Sequence, residues 1–158
     1  EIALSPLFFG GSQERSLRPG TENLPAIAGF AKALRLSTLP ASSDVINRLQ
    51  VLLTSRFPDC RVNGGGVLRL PHILNVTFPG VSAERLLYQL SAAGIYVSMR
   101  SACAGGEREP SHVLTAMGLT PAEANATLRF SSGFGSKLSD ADETSNAIDF
   151  AVNCHNCT

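Results

Sequence analysis

Two periods of apolar residues alternate along this chain. Between residues 45 and 53 the positions Val45, Ile46, Leu49, Leu52 and Leu53 recur at helical spacing, which predicts a helix with one buried face. Ser43 or Asp44 can cap it, and Arg56 and Pro58 mark its end. Upstream, residues 24–36 predict a helix rich in small side chains (Ala26, Ala28, Gly29, Ala31, Ala33), a composition that favours close packing against another element. Thr21 and Asn23 are its candidate caps, and Pro25 is acceptable in its first turn. The period then changes to two. Leu74, Val76 and Phe78 alternate with Ile73, Asn75 and Thr77, which predicts a strand with one fully apolar face and one mixed face.

The remaining elements follow from the same rules. A short strand over 60–62 closes in the turn Asn63-Gly64-Gly65-Gly66. Ser82 caps a helix to about residue 93, with Leu86, Leu87 and Leu90 inward and Gly94 as its stop. An apolar run at 95–97 reads as a buried strand. Glu109-Pro110-Ser111 opens a short helix that Gly118 ends. Thr120-Pro121-Ala122-Glu123 is a capping box with proline at the first helical position. Residues 126–131 form a strand with Leu128 and Phe130 on one face and Arg129 on the other. Ser139 caps a last helix through Ile148 and Val152. Alternating helices and short strands imply an α/β (α+β) fold, helices covering one face of a small mixed or antiparallel sheet. The Pro-Ala-Ser-Ser stretch after Leu39 reads as a linker, dividing the chain into 1–40 and 41–158.

Charge changes the picture by exclusion. Thirteen basic residues balance thirteen acidic ones, so a nucleic acid or an acidic membrane surface is not an expected partner. No apolar run is long enough to span a bilayer. The four cysteines show no disulfide-framework spacing, and no export signal opens the chain. Reduced thiols in the cytoplasm are therefore expected, or in an organelle matrix if a targeting segment lies upstream. The chain opens with Glu1 and runs at once into Phe8-Phe9-Gly10-Gly11, which reads as the middle of a fold; a missing N-terminal portion is expected.

Cys103 is the first candidate for chemistry. It follows the 95–97 run and precedes Gly105-Gly106 and a charged segment, a place for an exposed loop and a nucleophile that visits two partners. Arg100 and Arg108 flank it and can lower its pKa. The alternative is an inert cysteine packed against the strand end. Arg129, bounded by Ser131, Ser132 and Gly133, can grip a carboxylate with two parallel hydrogen bonds; the alternative is an ion pair at a surface or between domains. Thr21, beside a helix start and near Arg18, suits a phosphate as well as a cap. His72 and His112 each stand alone. Cys154-His155-Asn156-Cys157 has metal-like spacing but no second cysteine pair, so no metal site is expected. The two lysines, Lys32 and Lys137, follow no histidine, and no glycine-rich phosphate loop joins a strand to a helix.

Five motifs occur in order: Gly10-Gly11-Ser12-Gln13-Glu14-Arg15 with Arg18-Pro19-Gly20-Thr21-Glu22-Asn23, His72 through Gly80, Ser101-Ala102-Cys103, Glu109-Pro110-Ser111-His112-Val113-Leu114, and Leu128-Arg129-Phe130-Ser131. In this order they closely resemble the C-terminal part of the cysteine desulfurases, pyridoxal-phosphate enzymes of the class V aminotransferase group, from about residue 10 to 150. The resemblance implies an enzyme that takes sulfur from L-cysteine, releases alanine and holds the sulfur as a persulfide on Cys103. It implies that Arg129 binds the substrate carboxylate and that Thr21 reaches the cofactor phosphate of the other subunit in a homodimer. Sulfur acceptors in the family are iron–sulfur scaffolds and tRNA-thiolation proteins. Residues 1–40 would end the large cofactor-binding domain, and 41–158 would form the small C-terminal domain with the cysteine loop. The chain departs from the family at Met99-Arg100, where small residues are usual, and after Phe130, where an arginine is often found. The family's Schiff-base lysine has no counterpart here, so the chain alone is expected to be incomplete and inactive. The alternative function is a non-catalytic sulfur-relay or interaction module.

Overall fold

In the computed structural model, residues 3–37, 43–99 and 110–153 are described. The chain divides into two compact units, Glu1–Leu39 and Pro40–Thr158.

The first unit carries helix α1 (Leu24–Leu36). Its cap is Asn23, whose side-chain Oδ1 accepts the Ala26 N–H at 3.1 Å, with Pro25 in the first turn. Thr21, the other candidate, does not cap: the shorter reach from Asn23 to the free amides of the first turn wins. No residue of α1 is buried, and Leu24, Ile27, Phe30 and Leu34 are exposed. Ahead of α1, Glu14, Arg15 and Ser16 form a short 3-10 turn with left-handed φ values of 49°, 57° and 64°. Such backbone costs roughly 1–2 kcal/mol per non-glycine residue. The Ser16 N–H offsets part of that cost by donating to the Ser12 and Gln13 carbonyls at 3.2 and 3.0 Å. Gly10 packs so closely on Pro19 that an added Cβ would lie 2.8 Å from its side chain.

The second unit is built on a three-stranded antiparallel sheet, β1 (Arg61–Val62), β2 (Ile73–Thr77) and β3 (Thr127–Ser131), in that spatial order. β2 is central, with Leu74 opposite Phe130, Asn75 opposite Arg129 and Thr77 opposite Thr127. The alternation read from the chain is the alternation of its faces. Leu74, Val76, Leu128 and Phe130 face a core filled by α2 (Ser43–Arg56), α3 (Ala83–Ala92) and α6 (Leu138–Asn153). Ile46, Leu53, Leu86, Leu90 and Ile148 complete that core and are essentially inaccessible. α2 and α3 both pack along α6. The opposite face of the sheet carries Asn75, Thr77, Thr127 and Arg129. Near it lie α4 (His112–Ala116) and α5 (Pro121–Asn125), joined by a small cluster of Leu114, Leu119 and Ala124.

Local signals hold at most element ends. Ser82 and Ser111 cap α3 and α4, and Thr120 with Glu123 forms the full capping box of α5. α3 ends as a Schellman motif: Gly94 has φ +79°, its N–H donates to the Ser91 carbonyl at 3.0 Å, and the Ile95 N–H to the Leu90 carbonyl at 2.8 Å.

Two expectations are corrected here. Residues 95–97 are not a strand. The Schellman turn carries Ile95 and Val97 onto the core as half-buried side chains, and the chain meets the sheet only at Ser98, in a single bridge to Arg129. The apolar run therefore reflects packing without a ladder. Ser139 does not cap α6 either. The helix begins at Leu138, and the Asp140 carboxylate reaches back to accept the Lys137 N–H at 2.9 Å, because a charged acceptor one turn in outcompetes the hydroxyl.

Candidate functional site

A cleft of about 370 Å³ opens on the polar face of the sheet, entirely within the second unit. Asn63, Arg69, Asn75 and Arg129 supply its polar floor, and Leu70, Met99, Val113 and Met117 its apolar walls. Ser111 and His112, at the start of α4, form its rim. The site follows from the pleat. Residues at alternate positions of β2 and β3 bury their apolar neighbours against the helices, which leaves Asn75 and Arg129 side by side on the other face.

The two arginines of the cleft differ. Arg69 is committed: it donates to the Gln50 side-chain carbonyl and, at 3.3 Å, to the Ile73 backbone carbonyl. Arg129 is exposed and has no carboxylate partner among the described residues. A guanidinium that lines a cleft can take a carboxylate through two charge-assisted hydrogen bonds.

Below Arg129 runs a chain of short polar contacts. Asn63 Nδ2 donates to Asn75 Oδ1 at 2.8 Å and to Thr77 Oγ1 at 2.9 Å. Thr77 and Thr127 share a hydrogen bond of 2.8 Å between fully buried hydroxyls. Thr127 Oγ1 donates to the Glu123 carbonyl at 2.7 Å. No role for these residues was legible in the sequence; the one signal was that β2's mixed face carries Asn75 and Thr77 two residues apart.

Cys103 lies outside the described residues, as do Arg100, Arg108, Cys154, His155 and Cys157. Met99, the last described residue before its segment, lines the cleft, and so does Ser111, one residue beyond Pro110 on the other side. Ser98 is hydrogen-bonded to Arg129 in both directions, at 3.1 and 2.6 Å, and its neighbour Met99 lines the wall. Ser111 returns the chain at the rim. Thr21 belongs to the first unit and is exposed. Its carbonyl, with those of Pro19 and Gly20, accepts from Arg18 Nη1, so that arginine is turned onto its own backbone.

Cys60 is half-buried with its thiol toward the Leu53 carbonyl at 3.7 Å, and burial pushes its pKa up, which disfavours the thiolate. Among the described residues no group of three or more His, Cys, Asp or Glu side chains is placed to hold a metal, and no helix is long and apolar enough to cross a membrane. Lys137, the lysine of the second unit, does not line the cleft.

Comparison with known proteins agrees with this architecture. The sequence is 40% identical over 136 residues to a cysteine desulfurase of Trichormus azollae, covering 82% of this chain and 34% of that protein. The chain thus spans about a third of the length of the curated relatives it matches. A NifS-like protein from Rickettsia africae superposes with a TM-score of 0.71 at 31% identity, covering 96% of this chain and 41% of that one. The protein SspA, solved in complex with cysteine, superposes at 0.56 with 32% identity over 82% of this chain and 35% of its own. The family model for class-V aminotransferases matches residues 7–143, through the left-handed turn, the sheet and the cleft alike, and the chain belongs to that family.

Proposed function

We propose that this chain is the sulfur-accepting portion of a cysteine desulfurase. Arg129 holds the carboxylate of L-cysteine, the Cys103 thiolate takes the sulfur as a persulfide, and alanine is the other product. One observation carries the reading: the segment bearing Cys103 leaves from a backbone pair with Arg129 and returns at the rim of the same cleft. Cys103 follows Ser98 by five positions, so its Cα is tethered within about 17 Å of that residue. The likeness to cysteine desulfurases, and to a relative solved with cysteine, supports the substrate.

Pyridoxal phosphate is the family's cofactor and would supply the electron sink. The residues present do not fit its attachment. A Schiff base needs a lysine amine; Lys137 does not line the cleft, and neither it nor Lys32 follows a histidine as the family's lysine does. We assign that part to polypeptide beyond these 158 residues, with residues 1–40 as the tail of the larger domain and 41–158 as the smaller one. Thr21 is then a phosphate ligand contributed across a homodimer. A sulfur-acceptor protein is the natural partner of a persulfide.

The test is mass spectrometry of the chain after incubation with an intact cysteine desulfurase, pyridoxal phosphate and L-cysteine. One added sulfur atom on the Cys103 peptide is expected, with no alanine formed by the chain alone. Sulfur on Cys60 while Cys103 stays unmodified would overturn the reading.

A further inference from the structure

We propose that Asn75 is a second carboxylate-binding residue, its amide N–H groups held toward the cleft beside Arg129 by a hydrogen-bond relay of fixed direction. The proposal rests on the reading of Arg129 as a carboxylate clamp and deepens it. The count of protons fixes the direction of the relay. A backbone carbonyl only accepts, so at the Glu123 carbonyl Thr127 must donate. A hydroxyl has one proton. Thr127 therefore accepts at its 2.8 Å contact with Thr77, and Thr77 donates there. Thr77 Oγ1 then accepts from Asn63 Nδ2, whose second proton goes to Asn75 Oδ1. The Asn75 carbonyl is thereby occupied, and its NH2 group is left facing away from Asn63.

The reverse arrangement fails at one point. Turning the Asn63 amide over would set its carbonyl against a Thr77 oxygen that has no proton left to offer. Both threonines are fully buried, so bulk water does not supply one. The Asn63 N–H also donates to the Asn75 backbone carbonyl at 2.9 Å, which holds the two side chains together. Asn75 sits directly opposite Arg129 in the β2–β3 register and lines the same cleft. A guanidinium and an amide NH2 side by side offer donors only. A carboxylate, with its four lone-pair sites, fits both; an uncharged amide engages the guanidinium less strongly. Asn63 is a positioning residue in this arrangement, and Asn75 a binding residue.

Side-chain amide NMR signals of the full chain read this directly. L-Alanine is the titrant, carrying the expected carboxylate without a reactive sulfur, and L-alaninamide is the control. The Asn75 NH2 pair should shift saturably with L-alanine and little with L-alaninamide. Asn75→Asp keeps the acceptor for Asn63 but removes both donors, and it should weaken L-alanine binding about tenfold or more. Asn63→Asp should broaden or move the Asn75 pair before any ligand is added, a signature that loss of packing alone does not produce. No saturable shift of Asn75 in the unmutated chain overturns the proposal. If Arg129→Gln abolishes binding but Asn75→Asp leaves it unchanged, only the role of Asn75 falls. If Arg129→Gln leaves L-alanine binding intact, the clamp reading itself falls. Should a variant not fold, the titration of the unmutated chain still decides.

Discussion

Thr77→Val is the sharpest test of the polar chain beneath the cleft. Valine has nearly the shape of threonine, so no cavity opens and the change is confined to hydrogen bonds. Thr77 makes two, to Thr127 at 2.8 Å and from Asn63 at 2.9 Å. At a net value of about 1 kcal/mol each, their loss should destabilise the fold by about 2 kcal/mol. Thr127→Val also removes two, the shared one and the 2.7 Å bond to the Glu123 carbonyl, for about 2 kcal/mol again. The double variant loses three bonds, because one is common to both singles. Its cost should be about 3 kcal/mol or less, and the coupling at least about 1 kcal/mol. Urea unfolding followed by far-ultraviolet circular dichroism measures all three, with an unchanged m-value as the sign that only stability has moved. Strict additivity, or a neutral Thr77→Val, would refute the relay and remove the support for the Asn75 orientation.

Other outcomes follow from the same coordinates. Leu53→Ala empties a wholly buried position between α2 and the sheet and should cost about 2–5 kcal/mol, read as a lower urea midpoint; a loss under about 1 kcal/mol would contradict the assigned core. The Glu123 carboxyl is held below its usual range, first by the Thr120 N–H and hydroxyl and then by Arg61. Its contribution is present above the ordinary glutamate value of about 4.3 and is lost as pH falls through the lowered folded-state value. The stability difference between the native chain and Glu123→Gln should therefore shrink in acid, and a difference that grows there would reverse the assignment. Because burial raises the Cys60 pKa, a thiol reagent at neutral pH should modify Cys60 more slowly than a small exposed thiol, with the rate rising as pH is increased. Equal rates at neutral pH would show that thiol to be accessible.

Much of the scaffold was legible because it is settled within a few residues. Ser82, Ser111 and the Thr120–Glu123 pair cap helices where a hydroxyl or carboxylate can reach free amides one turn away. Gly94 ends α3 because the closing turn needs a left-handed residue. Of the readings that failed, one turned on a distant partner and one on competition between neighbours. Residues 95–97 have a strand's apolarity, yet a strand needs a neighbouring ladder, and only Ser98 finds one. At α6 two adjacent residues could both cap, and geometry chose Asp140 over Ser139.

The order of residues was enough for the period of most elements, the caps of α3, α4 and α5, the two faces of β2 and β3, and Arg129 as a residue able to bind an anion. Only the fold decided that Arg129 lacks a carboxylate partner among the described residues, that Asn63 and Asn75 share its cleft, and which end of each amide points where. The reason is physical: caps and periods are decided by neighbours along the chain, and so is the Thr127 bond to the Glu123 carbonyl four residues away, whereas the contacts of Thr77 with Thr127 and with Asn63 join residues fifty and fourteen positions apart that only folding brings together.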